Sequence, residues 1–361
     1  MLLQLRLASG YLAIFLMPTL LLVGMWTGHP SLAFSCVMLV FPMARAIFGA
    51  HQLAEPVFWS EGIATFLDRL PVAYGIALTS TFLLLADSLR NGAANSFSFA
   101  VFAGLSLWMT MLFATCPAHD LIHRRQAPDR AVGQIIAGLA GYPFLGFEHR
   151  EHHTRWGDTA RAEWPRIDDS VWQFAGRRIV RILRETIGPG GILWRFNDAS
   201  SESLQLRLGV ACSIGAWSLL ALAGGWAGFF IYLATIVGVA FGVQVITYLQ
   251  HWGLGDDNVS TARSRQFAWE DDCLFQSWIT LHISFHQEHH RLSNLPYYRI
   301  GMANDSPRQP AGYVLLMLVC LVPRLWRKLM QPALDHWKKQ PLDPKSPGRR
   351  LTCFSLYPGG G

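Results

Sequence analysis

Residues 208–255 read LGVACSIGAWSLLALAGGWAGFFIYLATIVGVAFGVQVITYLQHWGLG and contain no Asp, Glu, Lys or Arg. A helix needs about 20 apolar residues to cross a bilayer, so this stretch holds two spans. The break between them falls at Gly224-Gly225-Trp226-Ala227-Gly228, a turn signal. Three further uncharged stretches lie outward from it, at 7–44, 70–86 and 91–118. The first of these is interrupted by Gly28-His29-Pro30-Ser31 and reads as a hairpin of two spans. The expectation is an all-α integral membrane protein with six transmembrane helices, at about 8–27, 31–49, 70–88, 97–116, 208–225 and 229–250.

Composition agrees. The chain has 361 residues, 51% hydrophobic and only 15% charged, with a mean hydropathy of +0.25. A soluble domain carries about 25% charged residues, and a disordered chain more, so both classes are excluded. The net charge of +6 calls for no nucleic acid. With the N-terminus inside, the outer loops fall near 27–31, 88–96 and 224–228, and of 30 Lys and Arg only Arg90 lies in them. The positive-inside rule then places both termini in the cytoplasm of a multi-pass membrane protein. The first apolar run is too long for a cleaved signal and is followed closely by another span. Cysteines 36, 116, 212, 273, 320 and 353 form no C-x-x-C, which argues against a disulfide framework or a Cys zinc site.

The polar mass falls into a single membrane domain's cap, residues 117–205 and 251–335, followed by a loose tail, 336–361. Residues 131–147 are too short for a hairpin of two spans, and a single span would put the flanking segments on opposite sides. They are expected to form a shallow hairpin or interfacial segment. Residues 309–323 are expected to form an interfacial helix leading into the basic Arg324-Leu325-Trp326-Arg327-Lys328.

Histidine spacing carries the chemistry. His119 and His123 are four apart; His149, His152 and His153 form one HxxHH box; His286, His289 and His290 form another; His251 stands alone at the end of the last span. On a helix, positions i, i+3 and i+4 share a face, so each box offers converging imidazoles, the commonest metal-binding side chains. Counting crossings puts all four groups at the cytoplasmic end of one bundle. Nine imidazoles exceed the four ligands of one tetrahedral zinc and suit two metal ions. His282 shares the face of His286 and is a possible further ligand, whereas His29, His51 and His336 are expected to be non-ligating. Asp120, Glu148, Glu151 and Glu288 flank the boxes and could orient imidazole N–H groups or carry protons. Phe99, Phe102, Trp108, Met111 and Tyr248 could line an apolar substrate tunnel. Arg124, Arg125, Arg150 and Arg155 could receive an acidic electron donor.

From about residue 100 to 340 the sequence resembles the membrane alkane hydroxylases (alkane 1-monooxygenases), within the fatty acid desaturase-like superfamily. The resemblance rests on HDLIHR (119–124), EHREHH (148–153), YLQHWGL (248–254) and HQEHH (286–290). It implies a non-haem di-iron centre of two Fe ions held by His119, His123, His149, His152, His153, His251, His286, His289 and His290. It further implies hydroxylation of a terminal methyl group with O2, and electrons from rubredoxin or a similar ferredoxin-type iron–sulfur donor. Asp120 and Arg124 stand where hydroxylases usually have Glu and Lys, and the second box has two residues between its His where they usually have three. That spacing is closer to desaturases and some aryl-methyl monooxygenases, so the expected substrate widens to alkane, alkyl or aryl-methyl compounds. The alternatives are a fatty acyl desaturase, an oxidative fatty acid decarboxylase forming a terminal alkene and, outside the enzymes, a metal transporter.

Overall fold

The computed structural model describes residues 2–50, 57–92, 96–195, 200–255, 268–303 and 306–339. His51 and most of the tail lie outside them. Four helices among the described residues are long and apolar enough to cross a membrane: α1 (Leu2–Trp26), α3 (Glu61–Arg90), α4 (Phe97–Ile122) and α8 (Ser201–His251). Between the first two, α2 (Leu32–Phe48) is apolar but shorter.

The 51-residue α8 would be about 77 Å long if straight, more than twice a bilayer core. It is not straight. Gly225 has φ 56° and ψ −138°, a backbone conformation glycine adopts without steric cost. The chain folds back there: the Trp217 indole N–H donates to the Phe229 carbonyl at 3.1 Å, where twelve residues of continuous helix would separate them by about 18 Å. The two arms run antiparallel, and each is long enough to cross on its own.

Residues 131–147, expected as a shallow hairpin or interfacial segment, fall in α5 (Ala127–Leu139), a turn, and α6 (Leu145–Thr154). Helix α5 lodges against α3, α4 and α8. It fits because Gly138 meets Gly209 and Cys212 of α8, where a Cβ would come within 2.5 Å of the Gly209 carbonyl. The second arm of α8 approaches α4 in the same way, with Gly242 beneath Leu112 and Gly238 beneath Trp108. Small residues at such crossings are how helices pack closely in lipid, where no hydrophobic force drives them together.

The segments expected to form the cap fold as α6, α7 (Val171–Thr186), α9 (Leu274–Ile279), α10 (His286–Arg291), α11 (Tyr313–Cys320) and α12 (Pro323–Lys339). Helix α7 starts at a full capping box, Ser170 with Gln173. Helix α12 buries Trp326, Met330, Leu334 and Trp337, one stripe at helical spacing, and turns its basic residues outward. It runs through residues 336–339, which correct the expected start of a loose tail; residues 340–361 lie outside the described chain.

Candidate metal centre

Four separate elements deliver the imidazoles to one place. His119 and His123 come from the last turn of α4, His149, His152 and His153 from α6, His251 from the end of α8, and His286, His289 and His290 from α10. They sort into two groups. In one, the His149 Nε2 lies 2.8 Å from the Nε2 atoms of His119 and His153 and 3.3 Å from that of His289. His153 and His289 are 3.0 Å apart, and His123 completes the group. In the other, His251 Nε2 lies 3.0 Å from His152 and 3.1 Å from His286, and His290 lies 3.0 Å from His286.

Mutual hydrogen bonding does not account for this packing. A neutral imidazole has one N–H and one lone pair, so four or five rings pointing the same nitrogen inward leave most of them unmatched. The buried His123 Nε2 has no hydrogen-bond partner at all. Metal–imidazole bonds of about 2.0–2.1 Å place neighbouring donor atoms about 3.0–3.4 Å apart, close to the separations seen. Burial also suits the donors to that task. It lowers the His153 imidazole to about 4 and, with nearby imidazoles adding to the effect, holds His286, His289 and His290 well below the ordinary range. The rings are therefore neutral at pH 7, the form that binds metal. The donor set fits two ions side by side, the His153 and His290 rings being 4.6 Å apart where the groups meet.

An apolar cavity of about 160 Å³ opens from His119, His149, His152 and His286 into the helical bundle. One face of α4 walls it, with Trp108, Leu112, Thr115, Cys116 and His119 at i, i+4, i+7, i+8 and i+11. Met109 and Phe113 of α4, the second arm of α8, α11 and residues of α2, α6, α7, α9 and α10 complete it.

Residues 95–318 match the family model described as fatty acid desaturase. The chain belongs to the fatty acid desaturase family. Among curated proteins, this family member is similar to alkane 1-monooxygenase 1 of Pseudomonas aeruginosa, 28% identical over 85% of this chain and 84% of that protein. It is similar also to alkane 1-monooxygenase of Pseudomonas putida (22% identical, 89% and 83% covered). A third relative is the xylene/toluene monooxygenase hydroxylase component XylM of Pseudomonas putida (23%, 88% and 85%). With its two histidine groups and apolar helices, this desaturase-family chain is an oxidoreductase of the membrane di-metal monooxygenase type.

Several residues expected at the family site sit elsewhere. His282 joins neither group: its Nδ1 meets the Ile300 carbonyl at 2.8 Å and its Nε2 the Tyr11 hydroxyl at 2.7 Å. Of the expected tunnel residues only Trp108 borders the cavity. Phe102 is exposed on the outside of the bundle, while Phe99 and Met111 pack in the helical core away from the cavity. Tyr248 packs against Phe174 and Trp326 and donates to the Asp169 carbonyl. Arg124 is mostly buried, bonded to Asp120 at 2.8 Å and to the Asp68 carbonyl at 2.7 Å. Arg150 pairs with Glu202 and Arg155 with Glu151, both half-exposed; Arg125 is exposed.

The flanking carboxylates are engaged in fixing the cap. Asp120 accepts from Arg124 and from the Tyr297 backbone N–H. Glu151 pairs with Arg155 and Arg161, and Glu288 with Arg291. Glu148 accepts from Arg178 at 2.9 Å, from the Tyr142 hydroxyl and from Gln244. Arg178 in turn reaches Glu163 at 3.3 Å, and Arg181 bonds Glu163 at 2.5 Å. Glu148, Arg178 and Glu163 are all buried, and the first two border the cavity. Sequence reasoning missed Arg178. It also missed Trp164, whose ring stacks on His251 with centroids 4.1 Å apart, and Trp156, edge-on to His290 at 5.1 Å.

Proposed function

We propose that this chain is a non-haem di-iron monooxygenase that hydroxylates an unactivated C–H, a terminal methyl, of an apolar alkane, alkyl or aryl-methyl compound. The observation that carries the reading is the pair of imidazole groups at the mouth of an apolar cavity. His119, His123, His149, His153 and His289 would hold one iron, and His152, His251, His286 and His290 the other. Two bound irons supply the reductive activation of O2 that cleavage of an unactivated C–H requires.

The chain's own residues do the rest. Trp108, Leu112, Val245 and Met317 line the cavity and exclude water from the reacting end. A linear or aryl-methyl chain placed along α4 from Trp108 presents its end to His119, about 16 Å further on by helix rise. Stacking on Trp164 fixes the His251 ring. The Glu148–Arg178–Glu163 network ties α6, which carries three of the imidazoles, to α7.

The cavity also bears on the substrate head group. Among the described residues, Arg178 is the one guanidinium that lines it, and it is committed to Glu148 and Glu163. A fatty acid carboxylate would find no free cation among these described residues, which favours a hydrocarbon over a decarboxylation substrate. Electrons would come from rubredoxin or a similar iron–sulfur protein at the cytoplasmic face. The near absence of Lys and Arg in the outer loops supports that orientation, the lengths of the uncharged stretches support six crossings, and the resemblance to alkane hydroxylases supports residence in the inner membrane. The test is product analysis by mass spectrometry after feeding octane, xylene and lauric acid. Alcohols from the first two support the reading. An unsaturated acyl chain or a shortened terminal alkene from lauric acid, with no alcohol from either hydrocarbon, overturns it.

A further inference from the structure

Behind the first imidazole group, on the side away from the substrate cavity, lies a second hollow. His119, His123, His289, His282 and Tyr297 border it, and its volume of about 10 Å³ is room for roughly one water. His282 bridges from this hollow to Tyr11 on α1, and the bridge fixes its own protonation. The Ile300 carbonyl can only accept, so Nδ1 carries the hydrogen, and Nε2, left with a lone pair, accepts from the Tyr11 hydroxyl at 2.7 Å.

The arrangement is held under strain. Leu281 and His282 are consecutive residues at φ 49° and 60°, in the left-handed region that side chains with a Cβ disfavour. Such conformations persist only where their surroundings determine them, and they gather at functional sites. Gly10 lets the Trp278 ring lie directly on α1, which brings the neighbouring Tyr11 against this loop.

Aromatic rings continue outward from the pair. Tyr11 lies 5.0 Å from Tyr297 and 6.5 Å from Trp59 between ring centroids, and Trp59, half-buried, lies 6.3 Å from Tyr298. Tyr297 borders the hollow, but its hydroxyl donates to the Leu67 carbonyl, which is no base. A phenol gives up an electron readily only when a base takes its proton in the same event. Of Tyr11 and Tyr297, the two phenols packed together at the hollow, Tyr11 is the one that has a base.

We propose that Tyr11 and His282 form a proton-coupled redox pair that quenches a strong oxidant generated from O2 at the metal site when no substrate is there to consume it. The Tyr11 O–H bond breaks. Its electron passes through the rings at the hollow to the oxidant, which is reduced by one electron, and its proton moves to His282 Nε2. The products are a neutral phenoxyl and an imidazolium. One electron from the protein's reductant and the proton on His282 then restore the phenol.

The inference rests on the monooxygenase reading, and the experiment separates the two. Iron(II)-loaded protein in lipid nanodiscs is mixed with O2 and reductant without hydrocarbon and freeze-quenched for electron paramagnetic resonance. A parallel sample with octane is analysed for alcohol. The expected result is an organic radical whose hyperfine pattern narrows when the protein carries ring- and β-deuterated tyrosine, and which is lost in Tyr11→Phe and His282→Gln. The deuterated wild-type protein keeps the test decisive should either variant fail to fold. Alcohol without a tyrosine radical overturns the inference alone, as does a radical that persists in a folded Tyr11→Phe. Neither alcohol nor radical overturns the inference together with the functional reading.

Discussion

Replacing Arg178 with Met keeps the length of the side chain and removes its charge. The guanidinium is 1% exposed, lies 2.9 Å from Glu148 and 3.3 Å from Glu163, and also donates to the Glu163 backbone carbonyl. Removing it leaves two buried carboxylates without that partner. Glu163 retains Arg181, but Glu148 is left with only the neutral donors Tyr142 and Gln244. Breaking a buried ion pair from one side costs about 3–5 kcal/mol, because the surviving charge stays desolvated. At about 2 °C per kcal/mol for a chain of this size, the melting temperature should fall on the order of 6–10 °C. The double variant Arg178→Met/Glu148→Gln removes the stranded charge, and should recover more than about 1 kcal/mol of the summed single losses. The assay is thermal unfolding of the four proteins in nanodiscs, read as a double-mutant cycle. A single variant within about 2 °C of wild type, or strictly additive losses, would refute the reasoning that Glu148 depends on Arg178.

Three further outcomes follow. His251→Ala should abolish hydroxylation and lower metal content while leaving membrane insertion and helical circular dichroism intact; full activity would contradict the role given to His251. Trp108→Ala, at the far end of the cavity over Gly238, should shift turnover toward longer chains, each added CH2 buried being worth about 0.8 kcal/mol, as read by competition between alkanes of different length. An unchanged length preference would remove Trp108 from the cavity wall. His336→Ala, on the exposed side of α12, should match wild type in both activity and metal content, and a loss of metal would show that the groups extend beyond those described.

The histidine groups were legible because their spacing is written along the chain: i, i+3 and i+4 on a helix place rings on one face whatever surrounds them. The fold-back at Gly225 was legible for a similar reason, since no membrane accommodates the length of that uncharged stretch in one crossing. The tunnel was not, because a helix in lipid is apolar all round and hydrophobicity alone does not mark its inner face. The face could have been counted back from His119 at 100° per residue: Leu112 and Trp108 return to within about 20° of it, whereas Met111 lies about 80° away on the side opposite Met109 and Phe113, and Phe102 lies beyond Trp108, where the cavity ends along α4. Arg178 also left a trace. Val171, Phe174, Ala175 and Ile182 form the buried stripe of α7, and an arginine on the same stripe needs a buried acid partner. That the partner would be Glu148, between Phe147 and His149 on α6, depends on how α6 and α7 pack, which local patterning does not encode. The Tyr11–His282 bridge is further still from the sequence, joining residues 271 positions apart through a strained turn.

The most direct measurement is the metal content per chain of protein purified in its active state, followed by chelation and reconstitution. The account predicts two irons per chain, with activity falling as they are withdrawn and returning with iron(II). Undiminished turnover in protein stripped of transition metals, or a single ion satisfying all nine imidazoles, would contradict it.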